Sequence, residues 1–311
     1  KPHASSFFRE AQFSNDGTTI ITNNGNQTLT TFVLPSDLLD ETKQPHTLSA
    51  INTIHSPSPI QSYAVYPKFS LEDLSTTVAL SASKDLPITL SNVLHPDVVH
   101  ATYPLINATT EAYITPNSLL WTADGTRFIA GSDNRISVFD ASADGSGPVI
   151  QHRTAPGRAE KRFPGRSSAQ HCRGIVSALD LSIDHYLAAG TTQREIAIYE
   201  HEGMGGQAVT SFSLAPLPGE VDVAKGNGVT QMKWTSDGTY LLIAERQSDC
   251  IQVWDLRHSL RRVGWLGGRG AKTTQRLGVD ILSTADGVEV WAGGMDGRIR
   301  MWRNPGLVEG E

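Results

Sequence analysis

His171 and Cys172 are the nearest approach to a nucleophile beside its base in this chain. Neighbouring residues on a strand or loop point apart, so the pair lacks the convergence of a working dyad. Glycine-rich stretches at 203–206 and 264–270 invite comparison with phosphate-cradling loops. The first precedes no helical pattern, and the second lacks the Lys-Ser/Thr pair that makes such loops specific, so both read as connections. Carboxylates recur in five short turns: Asn15-Asp16-Gly17, Ala123-Asp124-Gly125, Ile183-Asp184-His185, Ser236-Asp237-Gly238 and Ala285-Asp286-Gly287. Each lies between two apolar runs, where Asp caps a tight turn and its neighbour tolerates positive φ, and none reads as an acid catalyst. Cys172 and Cys250 are the two cysteines, too few for a disulfide scaffold and not at metal-binding spacing, and they read as reduced thiols. The expectation is a chain with no catalytic residue, metal, cofactor or small-molecule substrate.

Arginine and lysine offer different chemistry, the binding of anions. Formal net charge is −6, which by itself announces no nucleic-acid binder. Its distribution is uneven. Segment 150–173 holds Arg153, Arg158, Lys161, Arg162, Arg166 and Arg173 against Glu160 alone, and segment 257–276 holds Arg257, Arg261, Arg262, Arg269, Lys272 and Arg276 with no acid. Together they carry 12 of the 26 basic residues and 1 of the 32 acidic ones, which leaves the remainder of the chain strongly acidic.

The elements that position these residues arise from an internal repeat. Each Asp turn is preceded by an apolar run and succeeded by a second run ending in small residues. A third run then alternates apolar and polar: Ile136 to Asp140, Ile196 to Glu200, Ile251 to Asp255 and Ile299 to Arg303. A less regular copy runs from Tyr63 through Thr77–Ser83 to Ile88–Ser91, making six copies about 49 to 60 residues apart. Period-2 alternation without sustained helical patterns argues for strands. A small antiparallel sheet cannot bury both faces alone, and stacking six of them yields an all-β, WD-repeat β-propeller over 1–311. Trp254-Asp255 carries the dipeptide that names the repeat; Phe139-Asp140, Tyr199-Glu200 and Trp302-Arg303 are degenerate versions. Trp121, Trp234, Trp254, Trp291 and Trp302 read as aromatics packed between sheets, not as a ligand cage.

Propeller topology converts charge distribution into a surface expectation. With the first strand innermost, the Asp turns share one face of the disc, while second-to-third loops and blade-to-blade connections share the other. The segments 150–173 and 257–276 read as basic blade-to-blade insertions. Lys84, Arg135, Arg194 and Arg246 in second-to-third loops, and Arg9 at the start of the first blade, join Arg173 and Arg276 on that side. Guanidinium groups gathered at a channel mouth suit phosphates and unpaired bases, with Phe163 and Trp265 as modest aromatic company. Solvated arginines, or arginines paired to acidic turns, are the competing reading. The polarisation favours an RNA or an acidic partner.

Composition limits the setting. No apolar run approaches the roughly 18 residues of a membrane span, so a water-soluble chain with no membrane role is expected. Lys1-Pro2-His3 implies upstream residues and shows no secretory signal, and the triplets Asn26-Gln27-Thr28 and Asn107-Ala108-Thr109 are read as chance in an intracellular protein.

Particular motifs go beyond generic propeller features. Phe7-Phe8-Arg9 leads into Ser14-Asn15-Asp16-Gly17, then Ile21-Thr22-Asn23 and Leu34-Pro35-Ser36-Asp37-Leu38. Further on stand Ser83-Lys84-Asp85-Leu86-Pro87-Ile88, Tyr103-Pro104-Leu105-Ile106-Asn107, Trp254-Asp255-Leu256-Arg257 and Thr273-Thr274-Gln275-Arg276. In these the chain resembles, over nearly its whole length, the telomerase Cajal body protein family and its fungal splicing-linked relatives. The resemblance implies a nuclear scaffold that recognises a short box in the loop of small nuclear or guide-type RNAs and helps assemble or localise their RNPs, including telomerase RNP. It places Arg9, Lys84, Arg194, Arg246, Gln275 and Arg276 at matching motif positions. It also implies seven blades where six are recognisable here, and a 150–173 segment longer than the family's.

Two functions are expected on these grounds: an RNA-binding propeller in small nuclear RNP biogenesis, localisation or pre-mRNA splicing, or a protein-only scaffold that grips an acidic peptide of a partner complex. An enzymatic propeller would need a carboxylate cluster that the sequence does not display.

Overall fold

A computed structural model describes residues 6–40, 46–95, 97–155, 172–216, 222, 224–257 and 261–306. Alternating apolar positions fold as six antiparallel sheets in chain order. The first contains β1 (Phe8–Phe13), β2 (Thr19–Asn24), β3 (Thr28–Val33) and β4 (Asn52–His55), and the second β5 (Ile60–Val65), β6 (Val78–Ser83), β7 (Ile88–Asn92) and β8 (Val99–Tyr103). The third contains β9 (Ser118–Trp121), β10 (Arg127–Ser132), β11 (Arg135–Asp140) and β12 (Ile150–Arg153), and the fourth β13 (Val176–Leu181), β14 (Leu187–Thr191), β15 (Glu195–Tyr199) and β16 (Thr210–Ser213). The fifth is β17 (Val229–Trp234), β18 (Tyr240–Glu245), β19 (Ile251–Asp255) and β20 (Arg261–Leu266). The sixth has three strands, β21 (Val279–Thr284), β22 (Gly287–Gly293) and β23 (Ile299–Arg303). Among the described residues the helical content is one short 3-10 turn at His201–Gly203. The fold class is the expected all-β WD-repeat propeller.

The chain divides into two compact units, residues 1–130 with 138–149, and residues 131–137 with 150–311. In the first, Leu80, Ile88, Tyr103, Phe128 and Phe139 form a buried core, with Phe128 and Phe139 stacked at 4.8 Å. In the second, Ile196, Val229, Met232, Leu241 and Trp254 form one core, and Leu242, Ile251, Val253, Val290 and Ala292 another.

Polar side chains on first strands bind the first sheet to the second, the fourth to the fifth and the fifth to the sixth. The β1 residue Gln12 accepts the Val65 N–H at 3.1 Å, and Asp180, in the equivalent place on β13, accepts the Trp234 N–H at 2.6 Å. Gln231 of β17 does both jobs for β21, donating to the Val279 carbonyl and accepting its N–H, each at 2.8 Å. A bulge early in β1, β5, β13 and β17 interrupts the register at the same place, and in β1 and β13 it turns one further side chain towards the neighbouring sheet. There Arg9 donates to the Ile60 carbonyl at 3.3 Å and Ser177 to the Val229 carbonyl at 2.6 Å.

Three Asp turns share one geometry. Ser14, Thr122 and Thr235 each donate a hydroxyl to the Asp two residues on at 2.6 Å, and the next Gly has φ of 69°, 70° and 69°. The carboxylate also receives the N–H of Thr18, Thr126 or Thr239. In the fourth sheet His185, at φ 62°, stands where glycine stands elsewhere.

Trp121 and Trp254 are buried, and Trp234 and Trp302 pack beside the cores, as expected. Trp291 differs: it is 39% exposed and donates to Glu289 at 3.1 Å. Its register partner Met301 and nearby Ile299 are exposed too, although the corresponding Val253 and Ile251 of the fifth sheet are buried against the sixth. Packing between sheets buries such positions in the fifth sheet, whereas these three side chains of the sixth stay exposed.

Candidate nucleic-acid interface

The cations of interest in the second unit sit where second-to-third turns meet the connections between sheets. Each such turn, in every sheet, contains one residue with left-handed φ: Gln27 (66°), Asp85 (60°), Asn134 (50°), Arg194 (64°), Gln247 (55°) and Gly297 (73°). For a residue with a β-carbon that conformation costs about 1 kcal/mol, and hydrogen bonds from surrounding chain must hold it.

Within the second unit those bonds run between the turns and the connections beside them. The Asn134 N–H donates to the Gly174 carbonyl, and the Asn134 carbonyl receives the Thr154 N–H; Cys172 N–H donates to Thr154. Thr192 N–H donates to Ile175, Leu214 N–H to Arg194, Asn227 N–H to Arg246, and Arg246 N–H to Gly228. Gln247 N–H donates to Thr273, and Arg269 N–H to Asp249. These bonds make two sets, one around the Asn134 and Arg194 turns and one around the turn at 246–249, which the Arg194–Glu245 ion pair joins into one layer containing six expected site residues: Arg135, Arg173, Arg194, Arg246, Gln275 and Arg276.

Their surroundings differ. Arg173 and Gln275 are exposed, while Arg135, Arg246 and Arg276 are half-buried. Arg135 donates to Gln151 at 3.2 Å. The buried Nε of Arg246 meets no acceptor among the described residues. Arg194 is held hardest: Nε and Nη2 clasp Glu245 at 2.7 and 3.1 Å, Nη1 and Nη2 clasp Asp222 at 2.8 and 3.3 Å, and Nη2 also reaches the Leu214 carbonyl. Glu245 is buried and takes a further bond from Gln252. Burial raises its carboxyl, opposed by Arg194, whereas the Arg194 hydrogen bonds lower that of Asp222. The Arg194 side chain therefore serves an ion-pair network as well as a surface.

In the first unit, Arg9 is exposed on β1 with the Ile60 bond described above, and Lys84 is exposed with its ammonium 4.0 Å from Asp85.

The basic segments prove more varied than simple connections. Part of 150–173 is strand β12, and Arg158, Lys161, Arg162, Arg166 and Phe163 lie outside the described residues. Segment 257–276 contains strand β20. Arg257 stands at the Asp-turn end of the fifth sheet, paired with Asp255 at 2.8 Å and over the Tyr240 ring. Arg269 is 1% exposed and donates through Nη2 to the Leu277 and Gly278 carbonyls, while its buried Nε meets no acceptor among the described residues. Acids also enter the layer, among them Asp133, Asp222 and Asp249.

Nothing in this geometry revives catalysis by Cys172. It is fully buried, its thiol is directed to the Glu195 carbonyl at 3.3 Å, and burial pushes it up to about 12, so the reactive thiolate is suppressed. Among the described residues no group of three His, Cys, Asp or Glu is placed to hold a metal ion.

The profile of the WD domain, G-beta repeat family matches residues 108–140. Over 306 residues the chain is 31% identical to guanine nucleotide-binding protein negative regulator 1 of Schizosaccharomyces pombe, covering 97% of this chain and 72% of that protein. The chain belongs to this WD-repeat family. Telomerase Cajal body protein 1 of Homo sapiens is a more distant member, 23% identical over 96% of this chain and 50% of its own length. Protein SWT21 of Eremothecium gossypii is 29% identical over 84% of this chain and 61% of its own. The family is thus the one whose motifs the sequence displayed, and this chain spans about half the length of its telomerase Cajal body members. A chain in the crystal structure of a mitotic checkpoint complex superposes with a TM-score of 0.63 over 98% of this chain and 76% of its own, at 14% identity, which shows shared fold alone.

The sequence reading missed Asp222 and Glu245, the partners of Arg194. Glu245 left a trace as the one charge closing the apolar run Tyr240–Glu245, whereas Asp222 left none.

Proposed function

We propose that this chain is a non-enzymatic, RNA-binding scaffold of the nucleus that acts in the biogenesis or localisation of small nuclear or Cajal-body-type RNPs, or in pre-mRNA splicing. The observation that carries the reading is the bonded layer of turns bearing Arg135, Arg173, Arg246, Gln275 and Arg276 in one unit. Arginine forks on a fixed backbone bind phosphate and stack on unpaired bases, and turns already ordered lose little entropy on binding. The name of the telomerase Cajal body relative supports the RNP setting. Arg9 and Lys84 are proposed as contacts of the first unit, and Arg194 as a contact whose side chain must be shared with Glu245. The partners are then small nuclear or guide-type RNA and RNP proteins.

Crosslinking and sequencing of bound RNA tests this. Enriched small RNAs, lost when Arg135, Arg246 and Arg276 are all changed to Glu, are expected; no enrichment, or the same enrichment in the variant, refutes direct recognition. Arg194 is left out of that variant because its loss strands the buried Glu245 carboxylate.

A second reading, a protein-only scaffold gripping an acidic partner segment, is favoured by one observation: the 31% identical relative is named as a regulator of a guanine nucleotide-binding protein. Affinity purification with nuclease separates the two, because a protein-only complex survives RNA removal.

A further inference from the structure

We propose that Asp222 is a built-in stand-in for a phosphate: its carboxylate covers the outer edge of the Arg194 guanidinium and is displaced when a polyanion binds the layer. The proposal rests on the anion-binding reading above and adds its regulation.

Arg194 meets two carboxylates of unlike standing. Glu245, on strand β18, is 1% exposed, clasps Nε and Nη2, and is held from its far side by Gln252, itself bonded to Trp254. It is a fixed part of the sheet. Asp222, from the connection between the fourth and fifth sheets, is 23% exposed and takes Nη1 and Nη2 at 2.8 and 3.3 Å, with the Lys225 N–H adding a third donor at 2.9 Å. Two parallel N–H bonds from one guanidinium edge plus a backbone N–H form the arrangement by which proteins hold phosphate. Here a carboxylate of the same chain fills it.

Two facts favour exchange over a permanent lock. One cation facing two carboxylates leaves the group with excess negative charge, and Asp222 is 23% exposed where Glu245 is 1%, so of the two it is the carboxylate that a stronger bidentate anion can reach and replace. Next to Glu245 in sequence, Arg246 has a buried Nε without an acceptor among the described residues. The layer therefore holds one arginine with a replaceable carboxylate and two, Arg246 and Arg269, with a buried Nε to spare, and of these two Arg246 is the one that solvent reaches.

The test uses the full chain with two probes, inorganic pyrophosphate and a mixed-sequence single-stranded RNA of about 20 nucleotides, at about 50 mM salt where phosphate contacts are strong. Asp222→Asn is expected to tighten binding of both by about fivefold or more, the equivalent of removing a competing contact near 1 kcal/mol. Asp133→Asn, which removes an acid of the same layer that is bonded to Asn134, controls for bulk charge and is expected to give no such gain. Adding Arg194→Lys to Asp222→Asn keeps a cation beside Glu245 but removes the fork, and should abolish the gain; circular dichroism confirms that each variant is folded. Equal affinity of Asp222→Asn and wild type, or an equal gain from Asp133→Asn, overturns the proposal. A gain for pyrophosphate with no RNA bound by any form upholds the stand-in and removes the RNA reading. RNA binding by the wild type without any gain in Asp222→Asn does the reverse.

Discussion

Thr122, Asp124 and Thr126 show how little a single turn needs in order to repeat. Hydrogen bonds from Thr122 and Thr126 draw the Asp124 carboxyl down to about 2, so its bonds contribute fully above the ordinary carboxylate range and are lost as pH falls towards 2. Asp124→Ala should cost roughly 1 kcal/mol at neutral pH, the figure being reduced for exposure, and the deficit should vanish in acid when unfolding is monitored by denaturant titration. Asp180 works in the opposite sense. Burial pushes its carboxyl up to about 6, against the pull of Lys233 and the Trp234 N–H. The folded state then prefers the protonated acid, so the wild type loses stability as pH climbs from about 4 to about 6 and is level beyond. Asp180→Asn keeps an acceptor for Trp234 and has no charge to bury. Its stability relative to wild type should therefore rise across that window, by on the order of 1–3 kcal/mol, in melts recorded at a series of pH values.

Strands with a clean alternation were legible at the scale of elements. Ile251–Asp255 and Ile299–Arg303 are read from sequence with the bounds they have in the structure, because period 2 and a closing aromatic mark them without tertiary help. The fourth strands were hidden. Within Arg261–Leu266 two arginines precede Val263, and Gly264 then separates Val263 from Trp265, so the alternation is lost and the stretch reads as connection; pairing to β19 makes it a strand. Trp291 was misplaced because its pattern matches a packed position, and what buries such positions is a neighbouring sheet. Arg194 was legible as a cation in a turn but not as an ion-pair centre, since its partners lie 28 and 51 residues away in sequence. Glycine in the fourth-to-fifth connection has a readable cost. Gly228 has φ 97°, and a β-carbon there would lie 2.5 Å from the Thr192 carbonyl oxygen. Gly228→Ala should destabilise by about 2 kcal/mol or more and loosen the Arg246 turn, with faster amide exchange at Asn227 and Arg246 than in the wild type.

For the molecule as a whole, a net charge of −6 coexists with a local cationic layer, so any polyanion must be drawn by position and not by bulk field. Fold class and family were legible because six degenerate copies reinforce one another and several motifs are specific. The sharing of cations between structure and surface was not, since it depends on which carboxylate each arginine meets. The most direct test is equilibrium binding of small RNAs extracted from nuclei to the purified chain over a range of salt. Nanomolar to micromolar binding, with a salt slope that shrinks by about one per arginine removed at Arg135, Arg246 and Arg276, is the predicted result. Affinity and slope left unchanged by all three substitutions would contradict the assignment of this layer as the RNA-binding surface.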